Sequence, residues 1–284
     1  MNDTSLTRRR FLTRASASLA VAALHGGFSA GAAPARPVAP GAGARLLDVD
    51  LETAVPLGEM KAYYGGLLGF PILEETASRL VVGAGASRLS FRPAAKEGSR
   101  PFYHFAFNIP ENKIRLAADW QRSKGPLIPI PERNRDPEMP DAPDVVDYSH
   151  WNAHSVFFFD PAENVVEYIA RHDLKNGAPG PFSTADILCA SEIAFVVDDV
   201  PAAAAEVRRA FALENYRGAS DGFAAIGDEN GLLLVMKRGR HISFGSPKEK
   251  RVDVFPTRAR VRAGEKSPGG YSPPAGFPFE IAAG

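Results

Sequence analysis

Two ionisable side chains lie inside apolar stretches that predict strands, and both have the chemistry of a metal ligand. His104 stands in Phe102-Tyr103-His104-Phe105-Ala106-Phe107, and Glu167 in Val165-Val166-Glu167-Tyr168-Ile169. Desolvating an imidazole or a carboxylate alone is costly, so each needs a partner. Side chains alternate along a strand, which puts Glu167 on a face with Val165 and Ile169, both apolar. An unpaired carboxylate there has a raised pKa, and coordination reverses that shift. A shared divalent metal satisfies both groups; the plainer alternatives are a satisfied core histidine and an edge-strand glutamate turned to water.

Two more histidines are candidates for catalysis. His154 opens the predicted strand His154 to Asp160, and parity places it with Val156 and Phe158. A histidine at a strand mouth serves as a general acid or base, orients a substrate, or simply closes a loop. His150, in Tyr148-Ser149-His150-Trp151-Asn152, belongs to an aromatic and polar cluster suited to a pocket rim. His172 and His241 read as surface residues. Cys189 is the single cysteine of the 284 residues, which excludes an intrachain disulfide and any multi-Cys metal or redox motif. A metal site must therefore rest on His, Asp and Glu.

The elements that position these residues recur as one pattern, read three times along the chain: a strand, a short helix, then three strands. The first copy has Leu46 to Val55 as strand and Leu57 to Leu68 as helix, ended by Gly69. Strands follow at Pro71 to Glu75, Arg79 to Gly83 and Ser87 to Arg92. The second has Phe102 to Ile109, a helix over Pro110 to Ser123, and strands at Leu127 to Ile130, His154 to Asp160 and Asn164 to Arg171. A long insertion rich in Pro, Asp and Glu, Pro131 to Asn152, interrupts it. The third has Glu192 to Val197, a helix over Val200 to Phe211, and strands at Leu213 to Arg217, Phe223 to Ile226 and Leu232 to Lys237. The predicted organisation is α+β. Residues 45–95 and 101–175 form one paired unit, 186–245 a third, degenerate module, and 246–284 an irregular C-terminal tail.

Composition is that of an ordinary globular chain, 45% apolar and 23% charged. Basic and acidic residues are equal at 33 each, so nothing in the charge points to nucleic acid. Residues 1–32 resemble a twin-arginine signal peptide: Thr7-Arg8-Arg9-Arg10-Phe11-Leu12-Thr13, the mildly apolar Ala15 to Leu24, then Ala30-Gly31-Ala32 as a small-residue cleavage site. Loss of its four arginines and one aspartate leaves 29 basic and 32 acidic residues, a net charge of −3. Residues 33–44 read as a Pro/Gly/Ala linker. The expected location is the periplasm or another exported compartment, with no membrane span in the mature form.

Two stretches resemble the vicinal oxygen chelate superfamily, which includes glyoxalase I, fosfomycin-resistance enzymes and extradiol dioxygenases. They are Ala62-Tyr63-Tyr64-Gly65-Gly66-Leu67-Leu68-Gly69-Phe70 and Phe158-Phe159-Asp160-Pro161-Ala162-Glu163-Asn164-Val165-Val166-Glu167-Tyr168. The resemblance covers roughly residues 46–172 and implies tandem βαβββ modules paired into a curved mixed sheet around a cleft. It implies metal ligands from the first strand of each module and the last strand of one or both. His104 and Glu167 are carried over from the second module, and the first module's ligand position falls near Asp48, where many members have His. Asp50 shares that face and is an equal choice. Ser90, at the last-strand position of the first module, is a poor ligand. Glu192 holds the first-strand position of the third module, but Leu234 opposes a second metal site there. Glu163 replaces the glycine of the family's turn.

The implied cofactor is a divalent metal, Fe2+, Mn2+ or Zn2+; a His, Asp and Glu set suits the harder ions better. The implied function is a glyoxalase-like or dioxygenase-like metalloenzyme, a lyase, isomerase or dioxygenase. Its small-molecule substrate would chelate the metal through adjacent oxygens. The alternative is a metal-free small-molecule binding protein of the same fold, since Asp48 for His and Ser90 for Glu are what loss of a metal set looks like. A homodimer is expected if the third module, lacking a fourth, pairs with that of another chain. Replacing Arg8 and Arg9 together by Lys is expected to retain the precursor in the cytoplasm, and the exported form should begin at Ala33; an exported double variant, seen by fractionation and N-terminal sequencing, contradicts the leader.

Overall fold

Strand β1 (Arg45–Thr53) shows how the sequence sorts its faces. Leu46, Val49 and Leu51 are buried while Asp48 and Asp50 turn outward, and a bulge between Leu46 and Asp48 reconciles their uneven spacing. The structure, a computed structural model, describes residues 43–242, 250–263, 270–271, 273 and 278–284. The leader and nearly all of the 33–44 linker lie outside the described residues.

The first module continues with α1 (Leu57–Lys61), β2 (Ile72–Glu75), β3 (Leu80–Ala84) and β4 (Ser87–Pro93). Its predicted helix runs on after α1 as a π-helical turn, Ala62–Leu67. The second module comprises β5 (His104–Ile109), α2 (Ile114–Arg122), β6 (Val146–Tyr148), β7 (Ala153–Phe159) and β8 (Val165–Arg171). Leu127 to Ile130 forms only an isolated bridge, Leu127 to Phe158, and the extra strand β6 comes from the insertion. The third module is β9 (Cys189–Val197), α3 (Val200–Phe211), β10 (Asn215–Ser220), β11 (Phe223–Asp228) and β12 (Gly231–Lys237). Asp199 caps α3 by accepting from the Ala202 amide at 3.0 Å.

The chain then forms β13 (Thr257–Arg262), β14 (Gly270–Tyr271) and β15 (Phe279–Ala283). The described part of the predicted irregular tail is therefore largely strand. In every module the first strand pairs in parallel with the last: β1 with β4, β5 with β8 and β9 with β12. The pair β13 and β15 is also parallel, which makes this segment a reduced fourth unit.

The modules pair differently from the expectation of first with second. One sheet has the order β14-β15-β13-β1-β4-β3-β2 and the other β10-β11-β12-β9-β5-β8-β7-β6. The first module thus joins the C-terminal strands through β1 and β13, and the second joins the third through β5 and β9. The result is α+β, two curved mixed sheets with few helices. The third module already has its partner within the chain, so an unmatched module no longer argues for a homodimer. No helix among the described residues is long and apolar enough to cross a membrane.

One core lies on the helix side of both sheets, holding Val49, Leu51, Phe91, Phe105, Phe107, Tyr168, Phe195 and Val261. A second, smaller one lines the opposite face of the eight-stranded sheet, with Ala106, Phe157, Ile169, Leu232 and Leu234. The two sequence motifs of the resemblance meet in the first core. Tyr64 donates from its hydroxyl to Asp160 Oδ2 at 2.7 Å, and the Asn164 amide and side chain donate to the same carboxylate at 2.9 and 2.8 Å. Burial raises the Asp160 pKa to about 6 against the pull of these bonds. Glu163 adopts φ 61°, the left-handed conformation that the family's glycine would take without strain. Tyr64→Phe leaves a buried acceptor one donor short and is expected to cost about 1–3 kcal/mol in urea unfolding; a loss within error of zero contradicts the role given to this bond.

Candidate metal centre

The register of β5 with its two neighbours builds the site. Ala106 is the Cα partner of Glu167 in the parallel strand β8 and of Glu192 in the antiparallel strand β9. The two carboxylates therefore flank β5 at one level, and His104, two residues earlier, shares the face of Ala106. His104, Glu167 and Glu192 are all buried, and each offers one ligand atom within 4.8 Å of the others. His104 Nε2 is 3.5 Å from Glu167 Oε2 and 4.0 Å from Glu192 Oε2.

His104 Nδ1 lies 3.0 Å from the Val165 carbonyl. A carbonyl only accepts, so Nδ1 carries the proton and the Nε2 lone pair faces the carboxylates. Burial lowers the His104 pKa to about 4, and the Val165 bond opposes this only partly. The imidazole is neutral at pH 7, and its contacts with the glutamates are not salt bridges. Burial first, and then the nearby Glu192 charge, push the Glu167 pKa well up. Burial raises that of Glu192 too, against the counteracting charge of Arg171.

The raised Glu167 pKa favours a proton on the glutamate pair in the metal-free protein, and three lone-pair donors converge once an ion displaces that proton. The donor set fits a divalent ion: donors about 2.1 Å from one ion stand roughly 3.0–3.4 Å apart, so small side-chain rotations close the set. Between these residues and Tyr148, His150, Trp151, Phe223 and Leu234 the free volume is about 10 Å³. That is close to the room one water-sized particle needs.

Asp48 is not part of this centre. It sits in the other sheet, where Arg260 Nε donates to its Oδ2 at 2.7 Å and Arg88 lies 3.5 Å from its Oδ1. Asp50 is likewise held by Arg92 at 2.5 Å. The cause is the module pairing: β1 adjoins β13 and β4 and never reaches β5. His154 is displaced for a different reason. Phe157 is the partner of Glu167 in β7, so His154, three residues away, points to the opposite face. There its Nε2 contacts Asp136 Oδ2 at 2.9 Å and its Nδ1 contacts His172 Nε2 at 2.7 Å. His150 does line the cavity, beside Trp151.

Glu192 was undervalued in the sequence. Its signal is the same as that of Glu167, a lone carboxylate in an apolar strand, here Ala190-Ser191-Glu192-Ile193-Ala194-Phe195. Arg171 was missed altogether: it is fully buried and donates from Nη2 to Glu192 Oε1.

No protein-family model matches the sequence, and no curated protein matches it. Solved structures do. A putative dioxygenase from Bacillus subtilis subsp. subtilis str. 168 is similar at 13% identity, with 84% of each chain covered and a TM-score of 0.52. The chain has the architecture of that protein. Glyoxalase I from Zea mays matches at 14% identity over 84% of this chain and 92% of that one, with a TM-score of 0.47. A genomically encoded fosfomycin resistance protein from Listeria monocytogenes, complexed with Mn(II) and sulfate, matches at 14% identity. It covers 46% of this chain and 91% of its own, with a TM-score of 0.33. At such identities the likeness concerns the fold.

The lowered pKa of His104 gives a sign. The unfolded state, titrating near the ordinary histidine value of 6.5, binds the proton more readily than the folded state, titrating near 4. Stability from the neutral ring is present above pH 6.5 and is lost as pH falls toward 4, by about 3 kcal/mol at most. In metal-free protein, 15N-resolved imidazole spectra should show the Nδ1–H tautomer of His104 persisting well below pH 6; titration at an ordinary histidine pKa contradicts the burial and the tautomer together.

Proposed function

We propose that the protein is a metal-dependent enzyme whose divalent ion is held by His104 Nε2, Glu167 and Glu192, and that its substrate is a small molecule with adjacent oxygens able to chelate that ion. The observation that carries this reading is the convergence of three buried lone-pair donors, the imidazole turned toward two carboxylates by its bond to Val165. The set lacks sulfur and has two anionic donors, which favours Mn2+ or Fe2+ over softer ions, with Zn2+ also compatible. When bound, the ion supplies Lewis acidity to a coordinated oxygen.

The chain's own residues set the rest of the site. His104, Glu167 and Glu192 would hold the ion through three side chains, and a divalent ion bound by so few protein donors would have room for substrate oxygens. Trp151, Tyr148 and Phe223 exclude water and present aromatic faces to a bound molecule. His150, at the same wall, is placed to hold or move a proton at a substrate oxygen. The choice between lyase, isomerase and dioxygenase chemistry belongs to the substrate. The leader-like residues 1–32 support action in the periplasm or another exported compartment.

A metal-free binding protein is the second reading, favoured by the Arg171–Glu192 ion pair, which already brings one cation to the carboxylates. Metal analysis separates the two. Protein stripped of metal and reloaded with Fe2+, Mn2+ or Zn2+ should hold about one ion per chain. His104→Ala, Glu167→Gln and Glu192→Gln should each weaken binding by about 100-fold or more, since even an outer contact to a ligand is worth 10–100-fold. Asp48→Asn should bind as wild type does. A wild-type protein that takes up no ion sinks the enzyme reading.

A further inference from the structure

Among the described residues, Arg171 is the basic side chain built into the centre. It lies on β8 two positions beyond Ile169, on the face of Glu167. Its Nε donates to Asn108 Oδ1 at 3.1 Å and its Nη2 to Glu192 Oε1. Asn108 is fixed in turn, donating from Nδ2 to the Glu229 carbonyl at 2.7 Å. The guanidinium carbon stands 5.6 Å from the ring centres of both Trp151 and Tyr216. Nη1 is buried with no acceptor among the described residues. Such a side chain has no freedom to swing away, and it is held against one oxygen of a ligand carboxylate while the other oxygen faces His104.

We propose that Arg171 is a positioning residue for the metal centre: it sequesters Oε1 of Glu192, leaves Oε2 as that residue's sole donor, and cancels one of the two ligand charges. The inference rests on the metal reading above and specifies how that site is tuned. With an ion bound and both glutamates ionised, His104, Glu167, Glu192 and Arg171 would together carry a single negative charge, the same as a set with two imidazoles and one carboxylate. The centre thereby reaches with Glu, Glu and Arg the charge that His, His and Glu would give. A monodentate Glu192 also preserves coordination positions that a bidentate carboxylate would fill, and a chelating substrate needs those positions. The guanidinium therefore trades ion affinity for open sites, since a positive charge near the ion repels it.

The test titrates the full chain of wild type, Arg171→Met and Arg171→Lys with Mn2+, reading free ion by electron paramagnetic resonance, and records the Co2+ absorption spectrum of each. Arg171→Met should bind Mn2+ more tightly by about tenfold or more, because the repelling charge is gone and Glu192 gains its second oxygen. Its Co2+ spectrum should shift with the changed ligand set. Arg171→Lys keeps the charge but not the guanidinium fork, so it should bind Mn2+ less tightly than Arg171→Met. A folded Arg171→Met that binds equally or more weakly than wild type overturns the proposal, as does Arg171→Lys binding as tightly as Arg171→Met. Should Arg171→Met not fold, Arg171→Gln, which also removes the charge but keeps a polar group for Asn108, decides on the criterion set for Arg171→Met. A wild type that takes up no ion removes the metal reading and this assignment together, whereas normal wild-type binding with unchanged variants removes only the role of Arg171.

Discussion

The candidate centre depends on Ala106 standing opposite Glu167 on one side and Glu192 on the other. Strand side chains alternate, so a slip of one residue in either pairing would send a carboxylate into the helix-side core and leave it alone there. The register is held by the alternation itself: Phe105, Phe107 and Ile109 must face that core, which commits His104, Ala106 and Asn108 to the other side. Ala106 contributes by its size, since a methyl group leaves the space between two flanking carboxylates open. Burying two glutamates so close together raises both their pKa values, and the fold tolerates this because Arg171 neutralises one and a neutral imidazole faces both.

The two sheets follow the same plan and reach opposite electrostatic outcomes. In the first sheet, Asp48 in β1 is opposed by Arg88 in β4 and Arg260 in β13. Acid at the centre with bases on its flanks neutralises itself through ordinary ion pairs. In the second sheet the central strand offers a neutral histidine and an alanine, and the flanks offer acids. This arrangement buries two acids with one guanidinium between them, and their pKa values rise. The contrast explains why Asp48 suggested itself from the module pattern: it holds a corresponding place, but in a sheet whose equivalent centre is filled by guanidinium groups.

Much of the architecture was legible because modules announce themselves by periodicity. The helix Val200–Phe211 follows from its Ala-rich pattern, and the strands of the second and third modules, Leu127 to Ile130 apart, fall within a few residues of their predicted bounds. His104 and Glu167 were legible for a physical reason, since an ionisable group in an apolar strand has to be compensated by a partner at the same depth. Pairing was not legible: strand periodicity says which face is buried but not which edge meets which edge. The fourth unit was hidden by composition. Thr257-Arg258-Ala259-Arg260-Val261-Arg262 alternates buried and exposed along β13, yet its arginines and the surrounding Pro and Gly read as a tail. Arg171 was invisible because an arginine at a strand end normally reaches water, and only the packed rings of Trp151 and Tyr216 show that this one does not.

Access to the three donors is decided by which wall yields first. The floor is the eight-stranded sheet, whose strand β8 is buried along its whole length and paired on both sides. Its distortion would break backbone ladders and open the main core, at a cost comparable to unfolding. The opposite wall carries Tyr148, His150 and Trp151 on the 131–152 insertion. That segment is tied to α2 through the exposed ion pairs Arg115–Asp141 and Arg122–Asp144, and to β7 through the short strand β6 and the Asp136–His154 bond. Exposed pairs contribute about 0–1 kcal/mol each, so the insertion is held mainly by its buried side chains, Val145, Val146, Tyr148 and Trp151, and by one short strand pairing, against the full ladders of β8. A space of about 10 Å³ has room for one water-sized particle, so any larger molecule would enter by displacing residues of the insertion, with His104, Glu167 and Glu192 held in the sheet beneath.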